Sequence, residues 1–210
     1  MTEQGGPIDG AAIVRVAGNS FVISLSVLLE LPAVLAALWI AIRLSRTPFT
    51  DYLALRWTSW TNVLIGVVSL LALVLGWEAL SQVIGHDSAP GFMIDVLKSA
   101  RADGVVWLLV IAFAVVAPMS EELLVRGFLY RGWSESVLGP VGAIFLSSLV
   151  WTAVHLQYDL DWFPFLEVFS IGLLLGYLRY RSRSIWLTII LHGLNNLGAV
   201  VQTFLLAGST

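Results

Sequence analysis

Six apolar stretches, each near the length that crosses a bilayer, take up most of this chain and leave it few folds to choose from. They run over about Ser20–Leu44, Thr61–Ile84, Gly104–Pro118 (continuing into an acid-rich motif), Val137–Leu156, Trp162–Tyr180 and Ser184–Leu206. A spanning helix needs roughly 20 predominantly apolar residues. The sequence therefore predicts an all-α, polytopic transmembrane helical bundle of about six spans. Composition agrees: 58% of the residues are hydrophobic and 12% charged, whereas a soluble domain has about a quarter of its residues charged. With 210 residues, residues 1–210 make one membrane domain with no room for a second. Gly91–Arg101, inside the longest connection, reads as a short interfacial helix.

The charges set an expected orientation. The first, third and fifth connections carry Arg43, Arg46, Arg56, Arg131, Arg179, Arg181 and Arg183, and the opposite side carries Arg15, Lys98 and Arg101. The positive-inside bias then places both termini outside the cytoplasm. Met1 to Gly18 lacks the basic n-region and cleavage site of a signal peptide, so the first apolar segment is expected to stay as a span. Trp60, Trp107, Tyr130, Trp133, Trp162 and Tyr180 stand near helix ends and read as interface anchors. A net charge of −3 gives no footing for nucleic acid, and the absence of cysteine excludes thiol nucleophiles, disulfides and Cys-based metal sites.

Against this apolar background, a few polar residues stand out. Glu121-Glu122 precedes Arg126 by four residues in Pro118-Met-Ser-Glu-Glu-Leu-Leu-Val-Arg126-Gly127; His155 ends Trp151-Thr-Ala-Val-His155; His192 and Asn196 are one helical turn apart. Ionisable groups in hydrocarbon cost several kcal/mol and mark function by default. At 1.5 Å rise per residue, Glu121 lies roughly 18 Å above a helix end near Trp133, His155 roughly 20 Å above a start near Gly142, and His192 and Asn196 roughly 12 and 18 Å above Ser184. Three helices thus carry an acid, two imidazoles and an amide to a similar depth.

Glu122 and Arg126, four apart with Glu first, suit a helical ion pair. Glu121 points about 100° away and can face another helix. Apolar surroundings make a carboxylate a better proton acceptor near neutral pH, so Glu121 with His155 could turn a held water into a nucleophile. His192 and Asn196 could together stabilise an oxyanion. The combination reads as amide hydrolysis without a covalent enzyme intermediate and without a cofactor. Taken singly, each motif has a plainer reading: an interfacial salt bridge, an interfacial histidine, interhelical hydrogen bonding. Glu30, Glu78 and Glu167 read as structural or helix-end acids, and Gly172 with Gly176 as a packing surface. A His-Glu-x-x-His zinc site is absent. The nearest mechanistic rival is a metal held by Glu121, Glu122, His155 and His192. A proton-relay transporter would use the same acid and histidines, but the chain shows no repeat symmetry.

The ordered set Glu121-Glu122-x-x-x-Arg126, Trp151-x-x-x-His155 and His192-x-x-x-Asn196 resembles the CPBP family, the CAAX prenyl endopeptidases and bacteriocin-processing (Abi) proteins regarded as intramembrane glutamate proteases. The likeness covers about Phe113 to Val200, which on this reading is the catalytic core, residues 113–200, and includes Arg126-Gly127 and the run Tyr177-x-Arg-x-Arg-x-Arg-Ser-Ile-Trp. The resemblance implies Glu121 as the water-activating base, His155 as its partner, His192 and Asn196 as the oxyanion hole, and Glu122 and Arg126 in support, with no metal. Trp151 departs from the family, which usually has Phe there, and reads as a tolerated packing change. The implied setting is a bacterial plasma membrane, with membrane lipid and a peptide or membrane-protein substrate as partners. Bacteria generally lack prenylated CAAX proteins, so a CAAX substrate is not expected. The runner-up is a non-catalytic membrane scaffold on the same fold, an immunity or regulatory factor binding a bacteriocin or a sensor kinase.

Overall fold

The computed structural model describes residues 18–86, 91–155 and 161–208. The N-terminal segment with Arg15, Leu156 at the expected end of the fourth span, and residues 157–160 of the connection expected over Gln157–Asp161 lie outside the described residues. Among the described residues eight helices follow in order: α1 (Ser20–Leu44), α2 (Phe49–Tyr52), α3 (Trp60–Ile84), α4 (Gly91–Ala102), α5 (Val106–Ser134), α6 (Gly139–Ala153), α7 (Trp162–Ser182) and α8 (Ile185–Gly208). The caps are local sequence effects. Asn19 and Ser59 accept from the backbone N–H of Val22 and Asn62 to start α1 and α3, and Asp161 accepts from Phe163 N–H to start α7. Gly85 closes α3 at φ 67°, a left-handed position that glycine takes without a Cβ penalty.

Five helices, α1, α3, α5, α7 and α8, are long and apolar enough to cross a membrane. The sixth expected span is shorter than anticipated. The helix α6 covers only 15 residues, about 22 Å at helical rise, because it begins at Gly139-Pro140 and ends at Ala153 instead of running over the expected Val137–Leu156. It still bridges the two ends of the bundle. At one end, Ile185 N–H donates to Ala54 O, Arg56 Nε to Arg183 O, and Arg131 Nη1 to Asp51 O. These contacts gather the first, third and fifth connections. At the other end, Ser20 N–H donates to Ser99 Oγ, His86 Nε2 lies 3.0 Å from Asp161, and Arg101 sits over the Phe204 ring. That end holds the start of α1, the end of α3, the helix α4, the start of α7 and the end of α8. The chain alternates between the ends six times, α6 included.

The helix carrying the acid motif is the central one. Its apolar window is 56% buried, against 11% for α1 and for α3, whose outward leucines and valines such as Leu64, Leu75 and Val83 are exposed. One apolar core joins α3, α5, α6, α7 and α8 through Leu70, Val125, Trp151, Ile171, Leu175 and Leu187. A second joins α1, α2, α5 and α8 through Leu38, Leu53, Leu123 and Ile189. The Gly172 and Gly176 surface of α7 packs on α6, against Ser148 and Ile144, so the packing reading of that pair was sound. Tyr130 is not an interface anchor: it is buried, with the Arg179 guanidinium 5.6 Å from its ring centroid.

Candidate active site

The site is built on an irregular helix. Within α5, residues Ala112–Val116 and Leu123–Leu129 form two π-helical segments. The first has a readable cause in Pro118, which has no N–H and whose ring clashes with the carbonyl four residues back. The ladder widens there, and Ala117 N–H donates to Ala112 O, five residues earlier. In that register the carbonyl of Phe113 would be matched by residue 118, the proline, and so it lacks an intrahelical donor. Asn196 on α8 supplies one, its Nδ2 donating to Phe113 O at 3.0 Å. Gly193 on the same helix permits the approach: a Cβ there would lie 2.7 Å from Ala114 O. Gly193→Ala is expected to push α8 away from α5, with an overpacking cost of about 1–3 kcal/mol. Its thermal midpoint in detergent should fall. An unchanged midpoint would contradict the close approach.

Immediately after this segment come the two acids, and their environments differ. Glu122 is fully buried; its Oε1 accepts from Arg126 Nη1 at 2.7 Å and lies 3.1 Å from His192 Nδ1. Arg126, also fully buried, donates from Nη2 to Gly172 O at 3.2 Å, and its guanidinium lies 4.4 Å from the Trp151 ring centroid. The expected ion pair is therefore present, extended by a histidine and a carbonyl. Glu121 keeps 26% of its side-chain exposure. Its Oε2 accepts from Trp151 Nε1 at 2.5 Å and lies 3.9 Å from His192 Nε2.

The two histidines approach Trp151 from different sides, His192 from α8 and His155 from just beyond the end of α6. His155 contacts the indole edge-on at 4.7 Å between centroids, and His192 does so at 5.2 Å. His155 Nδ1 lies 2.7 Å from Trp151 O, one turn back, which assigns Nδ1 the hydrogen, because a carbonyl only accepts. The structure thus brings Glu121, Arg126, His155 and His192 around one indole, with Glu122 behind them on Arg126 and His192 and Asn196 a turn further along α8 against the π-helical segment. The two carboxylates lie at opposite ring nitrogens of His192, Glu122 at hydrogen-bond distance from Nδ1 and Glu121 at 3.9 Å from Nε2. Among the described residues no three His, Asp or Glu side chains stand together as a metal-binding group. Sequence reasoning missed the indole N–H of Trp151 and the carbonyl of Gly172. The departure at position 151 was the only available signal for the first, and the packing glycine the only one for the second.

Residues 103–198 match the family model described as type II CAAX prenyl endopeptidase Rce1-like. Over that segment the chain is similar to the Rce1-like family. That segment contains α5, α6, α7 and the first half of α8, and with them all six residues singled out from the sequence. Among curated proteins, the chain is similar to the UPF0177 protein YbdI of Lactococcus lactis subsp. lactis (strain IL1403), 28% identical over 123 residues, which is 59% of this chain and 60% of that protein. The chain therefore spans less than two thirds of that relative's length. No solved structure matches it.

Proposed function

We propose that the chain is an intramembrane endopeptidase that hydrolyses a peptide bond of a membrane-associated or peptide substrate, with residues 113–200 as its catalytic core. The observation that supports this best is the division between the two neighbouring acids. Glu122 is consumed by Arg126 and His192, whereas Glu121 is partly open beside two imidazoles. Glu121 takes a proton from a water that His155 helps to hold, and the hydroxide attacks the carbonyl carbon. His192 and Asn196 donate to the oxyanion that forms. Because His192 Nδ1 is engaged with Glu122, that donation falls to Nε2, which requires His192 as the imidazolium with a hydrogen on both ring nitrogens. As the tetrahedral intermediate collapses, the C–N bond breaks and the proton taken from water passes to the leaving amine. The products are one free acid and one free amine. Glu122 and Arg126 hold His192 and the helix in place.

The Rce1-like match supports the protease class. The substrate proposed is a peptide or a membrane protein without a prenyl group. The setting proposed is a bacterial plasma membrane, with the arginine-rich end in the cytoplasm and both termini outside.

Hydrolysis in this mechanism needs no metal. Purified protein in proteoliposomes, offered a panel of membrane peptides and read by mass spectrometry, should cut equally well before and after chelation. Cleavage abolished by chelator and restored by a metal would replace this mechanism with a metalloenzyme.

A further inference from the structure

We propose that Trp151 is a positioning residue for Glu121, its indole N–H holding the carboxylate in the orientation that receives the proton of water. This rests on the protease reading, in which Glu121 is the base. An indole nitrogen is a donor only, and a buried donor needs an acceptor. Trp151 is buried, and its Nε1–H donates to Glu121 Oε2 at 2.5 Å.

The ring itself has little freedom. The Arg126 guanidinium lies 4.4 Å from its centroid, and the His155 and His192 rings meet it edge-on. Behind it, α7 comes close only because residue 172 is glycine: a Cβ there would be 3.2 Å from Trp151 Cε3 and 3.3 Å from Arg126 Nη2. Position is thus transmitted from the Glu122–Arg126 pair, through the ring, to Glu121. With Oε2 engaged, Oε1 is left to take the proton. A phenylalanine at 151 would fill much of the same space but hold nothing.

Two measurements test this, one of them independent of activity. The chain has nine tryptophans, so selective 15N labelling gives a small set of indole N–H signals, and the one missing from Trp151→Phe is assigned. That proton should resonate well downfield of a free indole and move upfield in Glu121→Gln. A Trp151 signal indifferent to Glu121→Gln overturns the contact, whatever the protein cleaves. In the cleavage assay, Trp151→Phe should lower kcat about ten- to a hundredfold, as expected for a lost hydrogen bond to a charged group, with KM little changed. Wild-type kcat in Trp151→Phe overturns the positioning role and leaves the protease reading intact. A responsive indole signal in a wild-type protein that cleaves nothing supports the contact and counts against the protease reading alone.

Discussion

Glu121→Gln is expected to yield a protein that folds, inserts and binds substrate but cleaves about 10²–10⁴-fold more slowly, the usual worth of a general base. Glutamine is close in size and still accepts a hydrogen bond from Trp151, so the contact at Glu121 Oε2 keeps an acceptor. What it lacks is the ability to take a proton from water. Glu121 is partly exposed and is not paired with Arg126, so the substitution leaves the buried ion pair untouched. The loss should therefore be in rate and not in thermal stability. His155→Ala should act in the same direction, and the double variant should add little to either single one, because residues that act as one unit are strongly non-additive. If instead the chain is a non-catalytic immunity or regulatory scaffold, Glu121→Gln should keep most of the phenotype that deletion removes. Complementation of that phenotype, run beside the cleavage assay, separates the two.

Arg126→Ala is expected to do the opposite and damage the protein before it damages the chemistry. Both members of the Arg126–Glu122 pair are fully buried at 2.7 Å, and the guanidinium also supports Gly172 O and the Trp151 ring. Removing one member of a buried pair leaves an uncompensated charge and costs about 3–5 kcal/mol. For a chain of this size that corresponds to a fall in the thermal midpoint of about 10 °C. Arg126→Lys should fall in between, since a point charge keeps the ion pair but loses the planar fork and the stacking. Scanning fluorimetry of the purified parent and both variants in detergent reads the order. An Arg126→Ala variant as stable as the parent would mean that Glu122 is not held in the way described.

Helix length and hydropathy made the membrane bundle legible, because the bilayer sets both. The span at α6 is where that reasoning overran: an apolar run extends over Val137–Leu156, but hydropathy does not register that Gly139-Pro140 starts the helix late and that it stops at Ala153. The gathering of Glu121 and His192 agrees with depth matching along α5 and α8, whereas His155 lies beyond the end of α6, where helical rise does not set its height. The Glu122–Arg126 pair followed from spacing alone. What spacing could not show was the consequence of Pro118. A missing N–H widens the helix, frees the Phe113 carbonyl and gives Asn196 a binding partner on α5. Nor could it show which way an indole points, so a donor to Glu121 was read as packing. Tyr130 was misread for a related reason, because an aromatic near a helix end looks the same whether it faces headgroups or lies beneath an arginine.

The most direct test is cleavage in proteoliposomes made with half-labelled H218O, with wild type and Glu121→Gln prepared in parallel and products read by mass spectrometry. Wild type should release a peptide whose new carboxylate carries a single solvent-derived oxygen, seen as a two-dalton doublet, and Glu121→Gln should release none above background. The same doublet at the same rate from both proteins would show that Glu121 does not activate the water.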